Sequence, residues 1–344
     1  MTAVPFERLD TLLPRVEKPA RYTGAEWNSV RKPWDAVRLR LALAFPDVYE
    51  IGMSNLGLAI LYDLVNGREG MLAERVYAPW PDMAQAMRAE GLPLYSLESR
   101  RPLPCFDVIG FSLGYEMNFT TALDMLALAG LPLWSQDRDD TMPLVIAGGS
   151  ACHNPEPMAP FFDLFVIGDG EEALLELASL YADFLGQRGA RAGARPGSRD
   201  GRREFLRQAA KLEGIYVPEF YTPRYDDTGT FRSLVPQVAE APESVRARAV
   251  RRLPFPPTRP VVPYIETVHD RATVEIRRGC GQACRFCQAG IIYRPVRERP
   301  VDEVVRAAEA ITANTGYDEL GLLSLSTCDY RRIEELVAAL LQRF

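Results

Sequence analysis

The residues best suited to chemistry in this sequence are three cysteines that lie within eight residues. Cys280, Cys284 and Cys287 are separated by three and then by two residues. Thiolates are soft ligands that select iron–sulfur clusters, zinc or copper(I). A disulfide framework is typical of small secreted chains, and a 344-residue chain whose first residues do not resemble a signal peptide does not fit that class. The triplet therefore predicts a metal centre in a reducing compartment.

The surroundings of the triplet favour one kind of metal centre. A structural zinc site needs four ligands, commonly arranged as two closely spaced pairs. The nearest further candidates are His269, eleven residues before Cys280, and Cys328, forty-one residues after Cys287. A cubane cluster held by three cysteines leaves one iron open to a ligand with amino and carboxylate groups. An iron–sulfur cluster is therefore favoured over a zinc site and over chance clustering.

An alternation of strands and helices precedes the cysteines. It predicts an α/β fold with a doubly wound five-stranded parallel sheet. In such a sheet the loops at the carboxyl ends of the strands form the ligand crevice. Apolar runs predict strands at 37–45, 75–77, 107–113, 143–147 and 163–167, and helices at 58–65, 82–90, 118–129 and 171–185.

The chain divides into four segments on this basis. We assign 1–36 to an N-terminal extension, 37–212 to the α/β domain, 213–268 to a β-meander and linker, and 269–344 to a second α/β domain. In the last segment a strand at 272–276 leads into the cysteine loop. A helix at 302–314, a strand at 319–325 and a helix from residue 330 follow it, which is how a (βα) barrel begins.

The cysteine spacing, with Phe286 directly before the last cysteine, resembles that of the radical SAM superfamily. The resemblance implies a 4Fe–4S cluster on Cys280, Cys284 and Cys287. S-adenosylmethionine would bind the fourth iron and be cleaved to a 5′-deoxyadenosyl radical, with electrons from a reductant such as flavodoxin or ferredoxin. It also implies that Phe286 packs near adenine, with an ordinary place in the core as the alternative. Ser326 and Thr327, at the end of the second strand, would contact S-adenosylmethionine.

The first loop of the α/β domain resembles that of cobalamin-binding domains. Their Asp-x-His-x-x-Gly motif supplies a histidine to cobalt, and the corresponding residues here are Asp47-Val-Tyr49-Glu-Ile-Gly52. Imidazole is a good metal ligand, whereas a phenol with an ordinary pKa of about 10 is a poor one. We therefore expect cobalamin to bind base-off or not at all.

Glycines in the later loops strengthen the resemblance to cobalamin-dependent radical SAM proteins. Gly148 and Gly149 follow the fourth predicted strand, and Gly168 follows the fifth. Glycine lets backbone approach a bulky planar ligand closely. The alternative is that these residues only terminate strands.

The whole chain is similar to an uncharacterised bacterial family in which a cobalamin-binding-like domain is fused to a radical SAM domain. The similarity includes the sequence segments YEIGMSNLG, ERVYAPW and QAGIIYRPVRERP. It implies a radical SAM enzyme, with methyl or related group transfer to an unknown substrate. A non-catalytic cobalamin or S-adenosylmethionine binding module is an alternative.

A relative of RNA-modifying methyltransferases or of methylthiotransferases is a further alternative. Its support from the residues is the stretch 187–203, which has six arginines and one aspartate. Nothing aromatic interleaves with this charge, so a solvated loop is favoured over an RNA contact.

Length, composition and charge add further expectations. The net charge of −6 disfavours a protein that coats nucleic acid. The lack of a signal-peptide start and of a run of about 18 apolar residues predicts a cytoplasmic chain without a membrane span. The segment 272–344 is 73 residues long, whereas the six strand–helix units of a complete barrel need about 200. We therefore expect a truncated or split gene product, or a fragment, with a second chain as one way to complete the barrel.

Overall fold

The computed structural model describes residues 3–187 and 197–344, and it centres on a six-stranded, mostly parallel sheet. The strand order is β2-β1-β3-β4-β5-β6. The prediction of an α/β fold with a doubly wound sheet is confirmed. The strands are β1 Leu39–Phe45, β2 Met71–Tyr77, β3 Val108–Ser112, β4 Leu144–Gly148, β5 Leu164–Val166 and β6 Ile215–Tyr216.

Helices cover both faces of the sheet, because parallel strands are apolar on both sides and need cover on each. Within the described residues these helices are α1 Phe6–Asp10, α2 Tyr49–Met53, α3 Leu56–Asn66, α4 Pro81–Ala89, α5 Asn118–Leu128, α6 Gly170–Gln187 and α7 Asp200–Ala209. Helices α4 and α5 contribute to one core, and α3, α6 and α7 to the other. No described helix is long and apolar enough to cross a membrane.

The sixth strand corrects the prediction of five parallel strands. Ile215 and Tyr216 pair antiparallel with Val166 and Phe165 at the sheet edge. Both residues are buried, since their side chains complete the two cores. They fall in the segment that we assigned to the meander, which is in fact a hairpin of β7 Tyr221–Tyr225 and β8 Phe231–Pro236.

Helix α7 was not predicted, because its arginines obscured its apolar face. Arg202 is buried, and its Nη1 lies 2.9 Å from Oδ2 of Asp163, the residue before β5. Arg199 and Arg203 both pair with Glu219. Three arginines of the stretch 187–203 are thus engaged by carboxylates of the chain itself. Residues 188–196 of that stretch lie outside the described residues, so the prediction there, a solvated loop in preference to an RNA contact, stays a prediction.

Residues 269–344, which we call the barrel segment, contain two parallel strands with helices packed against them. Its elements are β9 Ala272–Glu275, β10 Arg277–Arg278, α8 Ala289–Ile292, β11 Arg297–Glu298, α9 Val301–Thr315, β12 Leu320–Leu323 and α10 Ile333–Leu341. Strands β9 and β12 pair in parallel, from Ala272 opposite Leu320 to Glu275 opposite Leu323. Helices α9 and α10 pack against them in a core of their own.

Candidate functional site

The cysteine loop follows β10 and lies at the protein surface. Cys280 and Cys287 are half-buried and Cys284 is exposed. The backbone N–H of Cys287 donates to the carbonyl of Cys284 over 3.0 Å, which turns the loop between them. Antiparallel pairing of β10 with β11 holds the chain on either side of the loop. The three thiols are therefore carried by one turn whose ends are fixed.

Gly279 connects β10 to this loop. Its φ is +83°, and a Cβ there would lie 2.5 Å from the carbonyl oxygen of Tyr293 and 2.8 Å from that of Pro295. Only glycine adopts this conformation without strain and leaves room for those carbonyls. The positions of Arg278 and Cys280 are consequently tied to each other.

The donor set of the loop fits an iron–sulfur cluster. Three thiols in eight residues supply the soft ligands that such a cluster takes. Among the residues that the structure describes, no three His, Cys, Asp or Glu side chains stand close enough together to hold a metal ion. Binding therefore requires the thiols to converge, which the exposed Cys284 side chain permits.

Phe286 lies outside the core. Its side chain is 92% exposed, so the interpretation that it is ordinary core is wrong. The ring is available to stack on a planar ligand beside the cysteines, as the prediction for adenine requires.

The predicted S-adenosylmethionine residues lie beside the cysteine loop. The Ser326 hydroxyl donates to Oδ2 of Asp329 over 2.6 Å, and Nε2 of Gln282 in the cysteine loop donates to the same oxygen over 2.7 Å. These hydrogen bonds hold the pKa of Asp329 below its ordinary value. The hydroxyl oxygens of Thr327 and Ser324 lie 3.1 Å apart. The prediction missed Asp329, which connects the two loops.

A cavity of about 280 Å³ lies at the carboxyl ends of the sheet strands. Its floor includes Gly148, Gly149 and Gly168, and helix α3 contributes apolar side chains such as Leu61. Across from them, Arg278 and Tyr293 line the cavity from the barrel segment. The crevice predicted at the carboxyl ends of a parallel sheet thus exists, and residues of the barrel segment form one of its walls.

The structure gives several predicted ligand glycines a packing reason. A Cβ on Gly149 would lie 2.4 Å from the carbonyl oxygen of Leu113, and one on Gly168 would lie 2.2 Å from that of Arg248. A Cβ on Gly52 would lie 2.2 Å from the Tyr77 ring. Close approach of the chain itself therefore accounts for these three glycines, whether or not a ligand also contacts them.

Tyr49 points into the protein and not toward the cavity. It is 1% exposed, and its ring packs edge-on against that of Tyr77 with 5.6 Å between centroids. Burial and the nearby Glu26 carboxylate raise its pKa above the ordinary value. The phenol offers no anionic oxygen at this position, so the structure does not support Tyr49 as a cofactor contact or cobalt ligand.

An ion cluster joins the cavity to the cysteine loop. We call Asp169, Glu171, Glu275, Arg278 and Arg297 the junction cluster. Arg278 Nη1 lies 3.1 Å from Asp169 Oδ1 and 2.6 Å from Glu171 Oε1, and its Nε lies 2.9 Å from Glu275 Oε1. Arg297 Nη1 pairs with Asp169. Carboxylates of the sheet domain thus bind arginines of the barrel segment.

Charge pairing in the junction cluster offsets its burial. Burial by itself lowers the pKa of Arg278, but the Glu275, Glu171 and Asp169 carboxylates raise it above its ordinary value. Arg278 is therefore always a cation. The prediction missed this cluster, although acidic residues after the fifth strand and two arginines before Cys280 were visible in the sequence.

The cysteines differ sharply in their expected reactivity. Cys284 and Cys328 are exposed, whereas Cys152 is 1% exposed and burial raises its pKa to about 12. Only the thiolate attacks alkylating reagents, so the burial of Cys152 and its raised pKa both oppose its modification. In the metal-free protein we expect iodoacetamide to modify Cys284 and Cys328 and to spare Cys152 until the protein unfolds. Peptide mass spectrometry checks this, and early Cys152 labelling would contradict the described burial.

Two family models match the chain. The model described as "Radical SAM proteins, N-terminal" matches residues 57–218, and that of the "Radical SAM superfamily" matches residues 274–343. Together they cover most of the sheet domain and the barrel segment.

Three individual proteins are similar to this chain. An uncharacterised protein of Methanocaldococcus jannaschii is 22% identical over 298 residues, which are 86% of this chain and 51% of that protein. Ribosomal protein uS12 methylthiotransferase RimO of a Synechococcus species is 30% identical over 121 residues, 33% of this chain and 26% of that enzyme.

The third is a solved structure, the radical S-adenosylmethionine methyltransferase TsrM from Kitasatospora setae with cobalamin and a 4Fe–4S cluster bound. It has a TM-score of 0.52 at 14% identity, over 89% of this chain and 53% of TsrM. At that identity the match shows a shared fold. The chain spans about half the length of TsrM and of the archaeal protein.

Proposed function

The chain belongs to the radical SAM superfamily, and we propose that it cleaves S-adenosylmethionine reductively to start radical chemistry on a substrate. The observation that carries the proposal is the anchored loop with Cys280, Cys284 and Cys287 beside the loop of Ser326 and Thr327. Enzyme activity of this kind needs both loops at one place, since the cysteines bind the cluster and the second loop binds its co-substrate.

The residues of the chain divide the work of the proposed site. The three cysteines would hold the cluster, and Phe286 would stack on adenine. The hydrogen bonds of Gln282 and Ser326 to Asp329 keep the second loop beside the first. A cluster held there and reduced by flavodoxin or ferredoxin would supply the electron for cleavage of S-adenosylmethionine into methionine and a 5′-deoxyadenosyl radical.

Anaerobic reconstitution tests the proposal. The protein is loaded with iron and sulfide, reduced with dithionite and incubated with S-adenosylmethionine, and 5′-deoxyadenosine is measured by chromatography. We expect iron, sulfide and 5′-deoxyadenosine to appear together. A fully loaded protein that binds S-adenosylmethionine without cleaving it would instead support the non-catalytic binding module.

We further propose that the cavity at the strand ends binds a portion of a cobalamin, and that this cofactor serves methyl or related group transfer. The cavity has mostly apolar walls at the edge where parallel sheets bind ligands. A volume of about 280 Å³ suits one portion of a corrinoid and not the whole molecule. Because the Tyr49 side chain is buried, it would supply no ligand to cobalt.

Filling the cavity should weaken cobalamin binding. Leu61 lines the cavity, whereas Leu64 of the same helix does not, and both are half-buried. We expect Leu61→Trp to raise the Kd for hydroxocobalamin at least about tenfold, because the larger ring occupies space that the ligand needs. Leu64→Trp is the matched control and should change Kd little. Absorbance titration measures both, and equal effects would argue against this cavity.

A further inference from the structure

The junction cluster connects the sheet domain to the first ligand cysteine by a short covalent path. Arg278 binds three carboxylates, of which Asp169 and Glu171 belong to the loop after β5 and the start of α6. Arg278 is separated from Cys280 by Gly279 alone, whose backbone lies close against the carbonyls of Tyr293 and Pro295. A displacement of Asp169 or Glu171 should therefore change the position of Cys280.

A second attachment acts on the other side of the loop. Arg297, opposite Arg278 in the β10–β11 pair, binds Asp169 and donates to the carbonyl of Val250 over 2.9 Å. Asp169 also accepts a hydrogen bond from the backbone N–H of Val250 over 2.9 Å. One carboxylate thus fixes both strands that flank the cysteine loop.

The same residues form a wall of the cavity. Asp169, Glu171, Glu275 and Arg278 all line it. A ligand that reaches this wall of the cavity therefore contacts the groups that hold the cysteine loop. Two sites that share such contacts influence each other reciprocally, since each ligand changes the other's affinity by the same factor.

We propose that Arg278 is a positioning residue through which the sheet domain, and the occupancy of its cavity, control the stability of the metal centre on the cysteine loop. The proposal rests on the proposed function for the identity of that centre. It assigns to Asp169 and Glu171, more than a hundred residues before the cysteines, a measurable effect on the cluster.

The variant pair Glu171→Gln and Glu172→Gln tests the proposal. Both residues lie in the first turn of α6, but Glu171 pairs with Arg278, whereas Glu172 pairs with Arg248 outside the cavity. Each change removes one charge from the same helix end, so effects on the helix dipole cancel in the comparison. The two variants therefore differ in the contact to Arg278.

The readout is the rate at which an iron chelator extracts the reconstituted cluster, together with the electron paramagnetic resonance spectrum of the reduced cluster. We expect Glu171→Gln to speed extraction about fivefold or more, in the range typical of coupled sites, and to shift the spectrum. Glu172→Gln should behave like the wild type. Equal rates and spectra in all three proteins would overturn the proposal.

Substitution of Arg278 itself gives the second comparison. Arg278→Lys keeps the charge but loses the bidentate contact to Glu275, so it should retain part of the protection, whereas Arg278→Gln should lose it. Arg278→Gln removes the ion pair of the buried Glu171 carboxylate, and if this variant does not fold, Glu171→Gln decides the question. Protection that is lost equally in both Arg278 variants, with Glu171→Gln unchanged, would also count against positioning.

Hydroxocobalamin serves as the probe for the cavity. We expect a saturating concentration to slow extraction in the wild type and to have less effect in Glu171→Gln. If hydroxocobalamin does not bind the wild type, the proposed cobalamin role fails, while the chelator comparison still tests Arg278. If extraction differs as expected but no variant forms 5′-deoxyadenosine, the positioning role stands and the proposed enzyme activity fails.

Discussion

Cys284→Ala is expected to abolish the formation of 5′-deoxyadenosine by the reconstituted protein. Two thiolates would remain where a three-cysteine site needs three. Changes to residues that only support metal ligands already cost about 10–100-fold in affinity or activity, so removal of a ligand should exceed that. We expect iron content to fall and S-adenosylmethionine cleavage to drop more than about 100-fold.

Because Cys284 is exposed, its substitution should affect cluster binding without affecting folding. Its side chain contributes no packing, so folding should be unaffected and the thermal unfolding midpoint of the metal-free protein should stay unchanged. Cys105→Ala, half-buried and outside the site, is the matched control and should keep both iron and activity. Iron analysis and chromatography measure the outcome. Full cleavage by the Cys284→Ala protein would refute the assignment of the cluster to this loop.

Gly168→Ala is expected to lower the free energy of unfolding by about 2–4 kcal/mol. Its φ is +98°, and the added Cβ would lie 2.2 Å from the carbonyl oxygen of Arg248 and 2.6 Å from its nitrogen. These are backbone atoms, and they are held in place because Arg248 N–H donates to Ile167 and its carbonyl accepts from Asp169. The linker must therefore move away from the end of β5.

Gly130→Ala separates strain from collision. Gly130 also has a positive φ, +71°, but apart from its chain neighbours no heavy atom lies within 4 Å of the Cβ position. Its substitution should cost about 1–2 kcal/mol, from the left-handed conformation alone. Urea denaturation of both variants gives the difference. Similar losses would mean that the contact between Gly168 and Arg248 is not maintained in solution.

The strands of the sheet could be predicted because each is a short apolar run between turn residues. The prediction placed β1, β3, β4 and β5 within a few residues of their observed bounds. Strand β6 escaped it, because two residues carry no periodicity and their pairing with β5 depends on a partner about fifty residues away. Helix α7 escaped because buried Arg202 looks like a surface residue until Asp163 is placed beside it.

The candidate site shows the same division. The ligand cysteines follow from residue type and spacing, which are local. Phe286 could be assigned to a ligand or to the core with equal reason, and its exposure decided against the core. Gly149 and Gly168 looked like ligand contacts, whereas close contacts with Leu113 and Arg248 explain them.

The sequence alone was enough to assign the three cysteines as cluster ligands, because all three donor groups lie within eight residues of the chain. The sequence likewise showed that no histidine stands in the first loop. Only the tertiary structure decided that Tyr49 is buried, that Asp329 joins the two loops, and that Asp169 and Glu171 bind Arg278. These contacts join residues far apart along the chain, and the physical reason is that buried charges need partners, which folding alone brings together.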